Sequence, residues 1–297
     1  MSISFRSAKS QASHAVRSMT AHGTARHDNQ DSGKIHSLGT ERAYEQALAG
    51  LTEWIQENKL GDLKGLDEAT ARHYLEERAE DVGQKTLDLD RQAINAFLGI
   101  NLDRIDSEKE AAIDSRAYTQ DQIRRVAESQ TAGHALATAV AAAAGLRAHE
   151  LLTLLPVSER AADTHRDYRH DRFSGREGTI YTVIGKGGLC REVILPQNLA
   201  DKLETTRLDS AHTVYDRGIR YQQHYAIGGG KRWSDSFSKA ADRALGWSTG
   251  AHGVRHTYAQ ERVIELQRQH YRFEDAKEVV SQEMGHFRAD IIDTYLR

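Results

Sequence analysis

Four separated pieces of the sequence hold side chains suited to a phosphodiester. They are Gly145-Leu146-Arg147-Ala148-His149-Glu150-Leu151-Leu152, then Gly185-Lys186-Gly187-Gly188, then His252-Gly253-Val254-Arg255-His256-Thr257-Tyr258-Ala259, and Met284-Gly285-His286 with Tyr295 nine residues later. Arginine forks grip non-bridging oxygens in two-pronged fashion. Histidine and lysine move protons, and tyrosine can act as a covalent nucleophile. No carboxylate pair or Cys/His cluster occurs at metal-ligand spacing. His252 and Arg255 stand three apart where a helix is expected to begin, so they share a face, and a helix N-terminus favours phosphate. His256, about 100° further round, is expected to point inward and receives no role. Glu150 is a candidate to orient Arg147 or a histidine.

Helices and one hairpin must position these pieces. From Thr40, read as an N-cap, Tyr44, Ala47, Leu48, Leu51, Trp54 and Ile55 recur at three- and four-residue steps, which predicts an amphipathic helix. Further helices are predicted at 68–81 and 86–98, giving a small helical domain over 37–99. The polar stretch 100–117 reads as a linker, and 118–297 as a second domain. There the pattern predicts helices at 120–130 and 134–144, an apolar turn at 149–155, and helices at 234–245, 254–267, 274–284 and 290–296. Strands are expected only at 180–184 and 191–195, as a hairpin around Gly185-Lys186-Gly187-Gly188. Residues 209–232 read as irregular. The expected fold class is mainly α (α+β), with one short antiparallel sheet in the larger domain. Trp54, Trp233 and Trp247 read as core or core-edge aromatics.

Composition narrows the class. The 297 residues are 39% hydrophobic, and no run approaches the roughly 18–20 apolar residues that span a bilayer. The N-terminus lacks the apolar region of a secretory signal, and a single cysteine, Cys190, points to a reducing, cytoplasmic setting. Net charge is -3, unevenly spread: +3 over residues 1–36, -8 over 37–113 and +2 over 114–297. Residues 1–36 therefore read as an irregular basic arm, either touching DNA or simply solvated. The acidic middle fits DNA binding only if its acids face outward. The stretch 157–178 carries Arg160, Arg166, Arg169, Arg172 and Arg176, either tracking DNA or forming a solvated charged loop.

Taken together, the four pieces resemble the tyrosine recombinase (phage integrase) family. Its GLR-x-x-E-L segment matches Arg147 and Glu150, its strand-turn lysine Lys186, and its H-x-x-R-H-T segment His252, Arg255, His256 and Thr257. Its G-H dipeptide matches His286, followed nine residues on by Tyr295. The likeness covers about residues 40–297, loosely in the first half, where the family has a core-binding domain, and with the full set of motifs in the second. Many members continue past the tyrosine into a segment that docks on a neighbouring subunit, whereas this sequence reaches Arg297 two residues after Tyr295.

The resemblance implies a site-specific recombinase that cuts and rejoins duplex DNA through a 3′-phosphotyrosyl link on Tyr295, freeing a 5′-hydroxyl. It implies Lys186 as the acid protonating that oxygen, His252 assisting proton transfer, His286 holding a phosphate oxygen, and no metal or nucleotide cofactor. It further implies a homo-tetramer on DNA, a Holliday junction, accessory DNA-bending or directionality proteins, no membrane, and DNA integration by a mobile element. A catalytically silent DNA-binding protein on the same fold and a type IB topoisomerase-like enzyme are the alternatives.

Overall fold

The computed structural model describes residues 7–21, 34–109, 115–185 and 187–297. The chain divides into two compact units, Met1–Ala112 and Ile113–Arg297.

The first unit is helical: α1 (Ala8–Met19), α2 (Leu38–Glu57), α3 (Glu68–Asp81) and α4 (Gln84–Leu98). Helix α1 corrects the expectation of an irregular arm over 1–36. Ser7 caps it by accepting from Ser10 N, and Ala8, Ala12, Ala15 and Val16 form a narrow buried stripe against α2. Alanines at helical spacing carried that signal, but serine and histidine between them concealed it. Residues 1–6 and 22–33 of the expected arm lie outside the described residues. Ser37, rather than Thr40, caps α2, its Oγ accepting from Thr40 N at 3.1 Å. Leu48, Leu51, Ile55, Leu75, Leu87 and Ile94 fill the core.

Residues 100–109 are not a free linker. Leu102 is buried, Ser107 N donates to Gln84 Oε1 at 2.8 Å, and Ser107 Oγ donates to Val82 O at 2.6 Å. Glu53, Glu57, Glu76, Glu77, Glu80 and Asp81 are all exposed, so much of the acidic charge faces water. Asp90 is the buried exception, where burial raises its pKa while Arg78 Nε sits 3.2 Å away.

The second unit begins with α5 (Gln120–Glu128), closed by a reciprocal Thr119/Gln122 capping box, and the alanine-rich α6 (Ala132–Ala144). Strands β1 (Leu155–Pro156), β2 (Thr179–Ile184) and β3 (Cys190–Leu195) form an antiparallel sheet in that order. After α7 (Gln197–Glu204) comes a second antiparallel sheet, β4 (Arg207–Asp216) with β5 (Ile219–Tyr225). The fold is therefore mainly α with two small sheets, not one.

The stretch expected to be irregular is a hairpin because Arg217 and Gly218 both take positive φ (49° and 79°), the two-residue turn that matches strand twist. Its outward Thr213, Tyr215, Arg220 and Gln222 are exposed, so no apolar alternation marked it in the sequence. Helices α8 (Gly230–Leu245), α9 (Gly253–Arg268), α10 (Phe273–Glu283) and α11 (Asp290–Asp293) complete the unit. Trp233 and Phe237 of α8 enter the main core. Tyr258, Val263, Leu266, Val279, Val280, Met284 and Ile292 make a second core that seats Tyr295. Among the described residues no helix is long and apolar enough to cross a membrane.

Candidate active site

Arg147 and Arg255 come together because α6 ends abruptly. Gly145 adopts φ +60°, and a Cβ there would stand 2.6 Å from the Tyr258 ring, so only glycine lets α9 approach so closely. Arg255, fully buried on the first turns of α9, donates from Nη1 to Gly145 O and from Nη2 to Met284 O (2.6 Å). It thereby ties the end of α6 to the end of α10. Gly285 then turns the chain at φ +74°, and His286 projects back toward both arginines.

Three groups converge on one atom, His286 Nε2. Arg147 Nη2 lies 3.2 Å from His286 Nε2, Arg255 Nη2 lies 3.0 Å from it, and Tyr295 Oη lies 3.1 Å from it. Arginine offers only donors, so Nε2 accepts and the ring proton sits on Nδ1. Burial, followed by the charges of Arg255, Arg147 and Arg191, pushes the His286 pKa down to about 3. Arg255 Nε also reaches Tyr295 Oη at 3.4 Å. Tyr295 itself is 6% exposed.

Glu150 sits beneath this cluster, fully buried. It accepts from Arg147 N (2.8 Å) and Arg147 Nη1 (2.9 Å), and from Arg191 Nη2 on β3 (2.8 Å). Burial alone would raise its pKa, but Arg191, Arg255 and Arg147 together hold it down to about 2. Three guanidiniums thus share one carboxylate. Burial and Arg147 lower the Arg255 pKa to about 10, which leaves it charged at neutral pH.

His252, at the N-terminus of α9, has its ring centroid 5.8 Å from that of Tyr295. Burial and Arg255 lower its pKa to about 4. His256 is buried, as expected. Its ring lies 4.8 Å from the Tyr295 ring, and burial and Arg116 bring its pKa to about 4. Because Tyr295 folds back over the start of α9, the side turned away from Arg255 still meets the tyrosine. Lys186 lies outside the described residues. Its neighbours flank the cluster: a Cβ on Gly185 would meet Glu150 Oε1 at 3.4 Å, while Gly187 and Gly188 line a cavity of about 390 Å³ with Arg166 and His286.

The arginines of 157–178 divide differently from either expectation. Arg160 donates to Thr182 Oγ1 and to the carbonyls of Thr182 and Thr153, tying the segment before β1 to β2. Arg169 pairs with Asp171 and Glu278, Arg172 with Glu192 while stacking on Tyr168 (3.9 Å), and Arg176 with Glu265 while lying over Tyr258. These four are all engaged by partners within the unit. Arg166, over the Phe287 ring at 5.6 Å, edges the cavity beside His286. Sequence reasoning missed Arg191, whose only signal was a charge inside a mainly apolar strand. Among the described residues, no group of three His, Cys, Asp or Glu side chains could hold a metal ion.

No family model matches the chain, and no curated protein matches it. Solved structures do. The post-cleavage complex of the XerH site-specific recombinase bound to a palindromic difH substrate aligns at TM-score 0.56 and 14% identity, covering 98% of this chain and 90% of that one. Its pre-cleavage complex with difH aligns at 0.56 and 14%, covering 98% and 92%. A lambda integrase tetramer bound to a Holliday junction aligns at 0.55 and 14%, covering 96% and 80%. The fold is that of the tyrosine recombinases, as the motifs implied.

Proposed function

We propose that this protein is a site-specific tyrosine recombinase that cleaves and rejoins duplex DNA through Tyr295, serving as the integrase of a mobile element. The observation that carries this reading is the convergence of Arg147, Arg255, His286 and the Tyr295 hydroxyl within hydrogen-bonding reach. With the histidines neutral, Arg147, Arg191 and Arg255 against Glu150 leave two positive charges. That excess suits a phosphodiester, whose negative charge grows as the pentacoordinate state forms.

The reaction follows from the chemistry of these groups. The scissile phosphate replaces His286 as the target of the Arg147 and Arg255 forks. A tyrosine phenol ordinarily titrates near pH ~10, so the attacking oxygen needs an acceptor for its proton and cations beside the phenolate. His286 Nε2, 3.1 Å from Tyr295 Oη, is the nearest acceptor. The phosphate's charge offsets the arginines that hold this imidazole acidic and so raises its basicity. His286 thereby takes the proton-transfer role first given to His252, whose ring faces Tyr295 without a hydrogen bond to its hydroxyl among the described residues. Oη attacks phosphorus, the bond to the 5′-oxygen breaks, and Lys186 supplies that oxygen's proton. Attack by a 5′-hydroxyl from a second duplex reverses the step and exchanges strands. Four copies on two DNA sites, passing through a Holliday junction with accessory DNA-bending proteins setting direction, complete the proposal. Solved structures of the same fold include a recombinase in a post-cleavage DNA complex and a tetramer on a Holliday junction.

The test is a nicked suicide duplex carrying the target site, from which the cleaved 5′ fragment diffuses away. Wild type should leave a DNA adduct that survives denaturation, and Tyr295→Phe should leave none while binding DNA with nearly unchanged affinity. An adduct with the Phe variant would remove Tyr295 as nucleophile. Binding without adduct by the wild type would favour a silent DNA-binding protein.

A further inference from the structure

Arg191 lies beneath the cluster without touching its open side. It is 1% exposed on β3, paired across the hairpin with Val183. Nη2 donates to Glu150 Oε2 at 2.8 Å, and Nη1 donates to Glu283 O at 2.9 Å. Nε has no hydrogen-bond partner and is buried. The reason for that cost is visible next to it: a Cβ on Gly285 would stand 2.8 Å from both Arg191 Cδ and Nε. The turn that delivers His286 is laid directly on this guanidinium arm.

One planar fork therefore spans two elements. Through Glu150 it fixes the carboxylate that holds Arg147 by both its backbone N–H and its Nη1. Through Glu283 O and the face of Gly285 it fixes the end of α10, from which His286 returns. Burying an arginine with a free Nε in a mainly apolar strand is expensive, and a leucine there would pack at less cost. A charge retained at that cost, on the one carboxylate shared by Arg147 and Arg255, points to the chemistry above it.

We infer that Arg191 is a positioning residue for strand cleavage, holding Glu150 and the Gly285-His286 turn so that Arg147 and His286 meet the same phosphate. This rests on the recombinase reading. The charged and titratable groups that face Glu150 are Arg147 and His149 from its own turn, Arg191 from β3, Arg255 from α9, and His286 from the turn after α10. Among the cations, Arg191 is the largest contributor to keeping Glu150 ionised. Without it, the buried carboxyl takes a proton more readily, loses acceptor capacity, and releases Arg147 as pH falls.

The experiment compares the full-length wild type, Arg191→Met, Arg191→Lys and Arg191→Met/Glu150→Gln. Arg191→Met should lower the rate of adduct formation about 10–100-fold, the range for losing a supporting partner of a reacting group, with DNA affinity unchanged. Its acid limb should move up by about one pH unit or more. The shift should vanish in the double variant, where residue 150 cannot titrate, and Arg191→Lys should recover part of the rate. A carboxyl carbon titration of Glu150 gives a readout independent of activity, and its pKa should rise in Arg191→Met. Arg191→Lys, which keeps the buried charge, serves if the methionine variant does not fold. An Arg191→Met enzyme with the wild-type rate and pH profile would overturn the positioning role while leaving the recombinase reading intact. Absence of any adduct from the wild type would overturn both, whatever the Glu150 titration shows.

Discussion

Two groups of arginines in the same unit differ in how many carboxylates they face. Arg169, Arg172 and Arg176 each find a carboxylate on a neighbouring element, so the segment 157–178 is stapled to β3, α9 and α10 with its charge spent. Arg147, Arg191 and Arg255 share Glu150 alone. Both sets are charge-rich in sequence, and only the second keeps an excess. What makes an arginine available to an anion is the deficit of local acids and a buried site that limits screening, rather than the number of arginines. Glu283 illustrates the other limit. It is buried like Glu150, but a single arginine, Arg262, meets it with several bonds, and Tyr258 Oη and Phe173 N also donate to it.

The comparison can be pressed hardest at Lys186, proposed above as the acid for the leaving 5′-oxygen. Lys186→Ala should slow cleavage by about 10²–10⁴-fold, the usual worth of a general acid. A substrate with a 5′-bridging phosphorothiolate, whose sulfur leaves without a proton, should recover most of that loss. No recovery would make the lysine a DNA contact only.

Next in size is the contrast itself. Arg147→Ala should lower the cleavage rate about 10²–10³-fold, the scale of losing one preorganised donor, while Arg169→Ala should leave rate and DNA affinity essentially unchanged. Single-turnover cleavage assays on both variants decide the matter, and equal losses would end the distinction between shared and spent arginines.

The pH dependence of folding gives a smaller, general effect. His252, His256 and His286 are held well below the ordinary histidine value by burial and neighbouring arginines. The unfolded chain therefore binds more protons than the folded one from about pH 6.5 downward, and stability must fall as pH falls through that window toward 3, where His286 titrates last. Denaturant unfolding at several pH values should show this slope, and His286→Gln should flatten it. A slope unchanged by that substitution would mean that the imidazole is not held neutral.

The smallest effect concerns Arg166, which has no carboxylate within ion-pair distance among the described residues and edges the cavity beside His286. If it meets a backbone phosphate, Arg166→Ala should make the log–log salt dependence of DNA binding shallower by about 0.9. Arg172→Ala should leave that slope alone, and the reverse result would exchange the two residues' roles.

Much of this molecule was legible in one dimension. The span Glu68–Asp81 of α3 is set by an Asp67 cap and helical periodicity, both local properties. The β2–β3 register follows from apolar strands around a glycine turn. The motif spacing brought six candidate residues, Arg147, Glu150, His252, Arg255, His286 and Tyr295, to one place, since glycine at 145 and 285 and the tyrosine nine residues past His286 are themselves local geometric instructions. What the sequence could not settle depends on partners far away in the chain. Whether Arg169 is spent depends on Glu278, 109 residues on, and whether Arg191 matters depends on Glu150, 41 residues back. His256 gained its place against Tyr295 only because the C-terminal turn folds back over α9. Helix α1 and the β4–β5 hairpin escaped notice because their buried faces are narrow, small or polar, and what covers them is decided by the tertiary fold. Local sequence sets elements and turns through short-range sterics and hydrogen bonds, whereas charge balance and burial are sums over neighbours that only the folded chain defines.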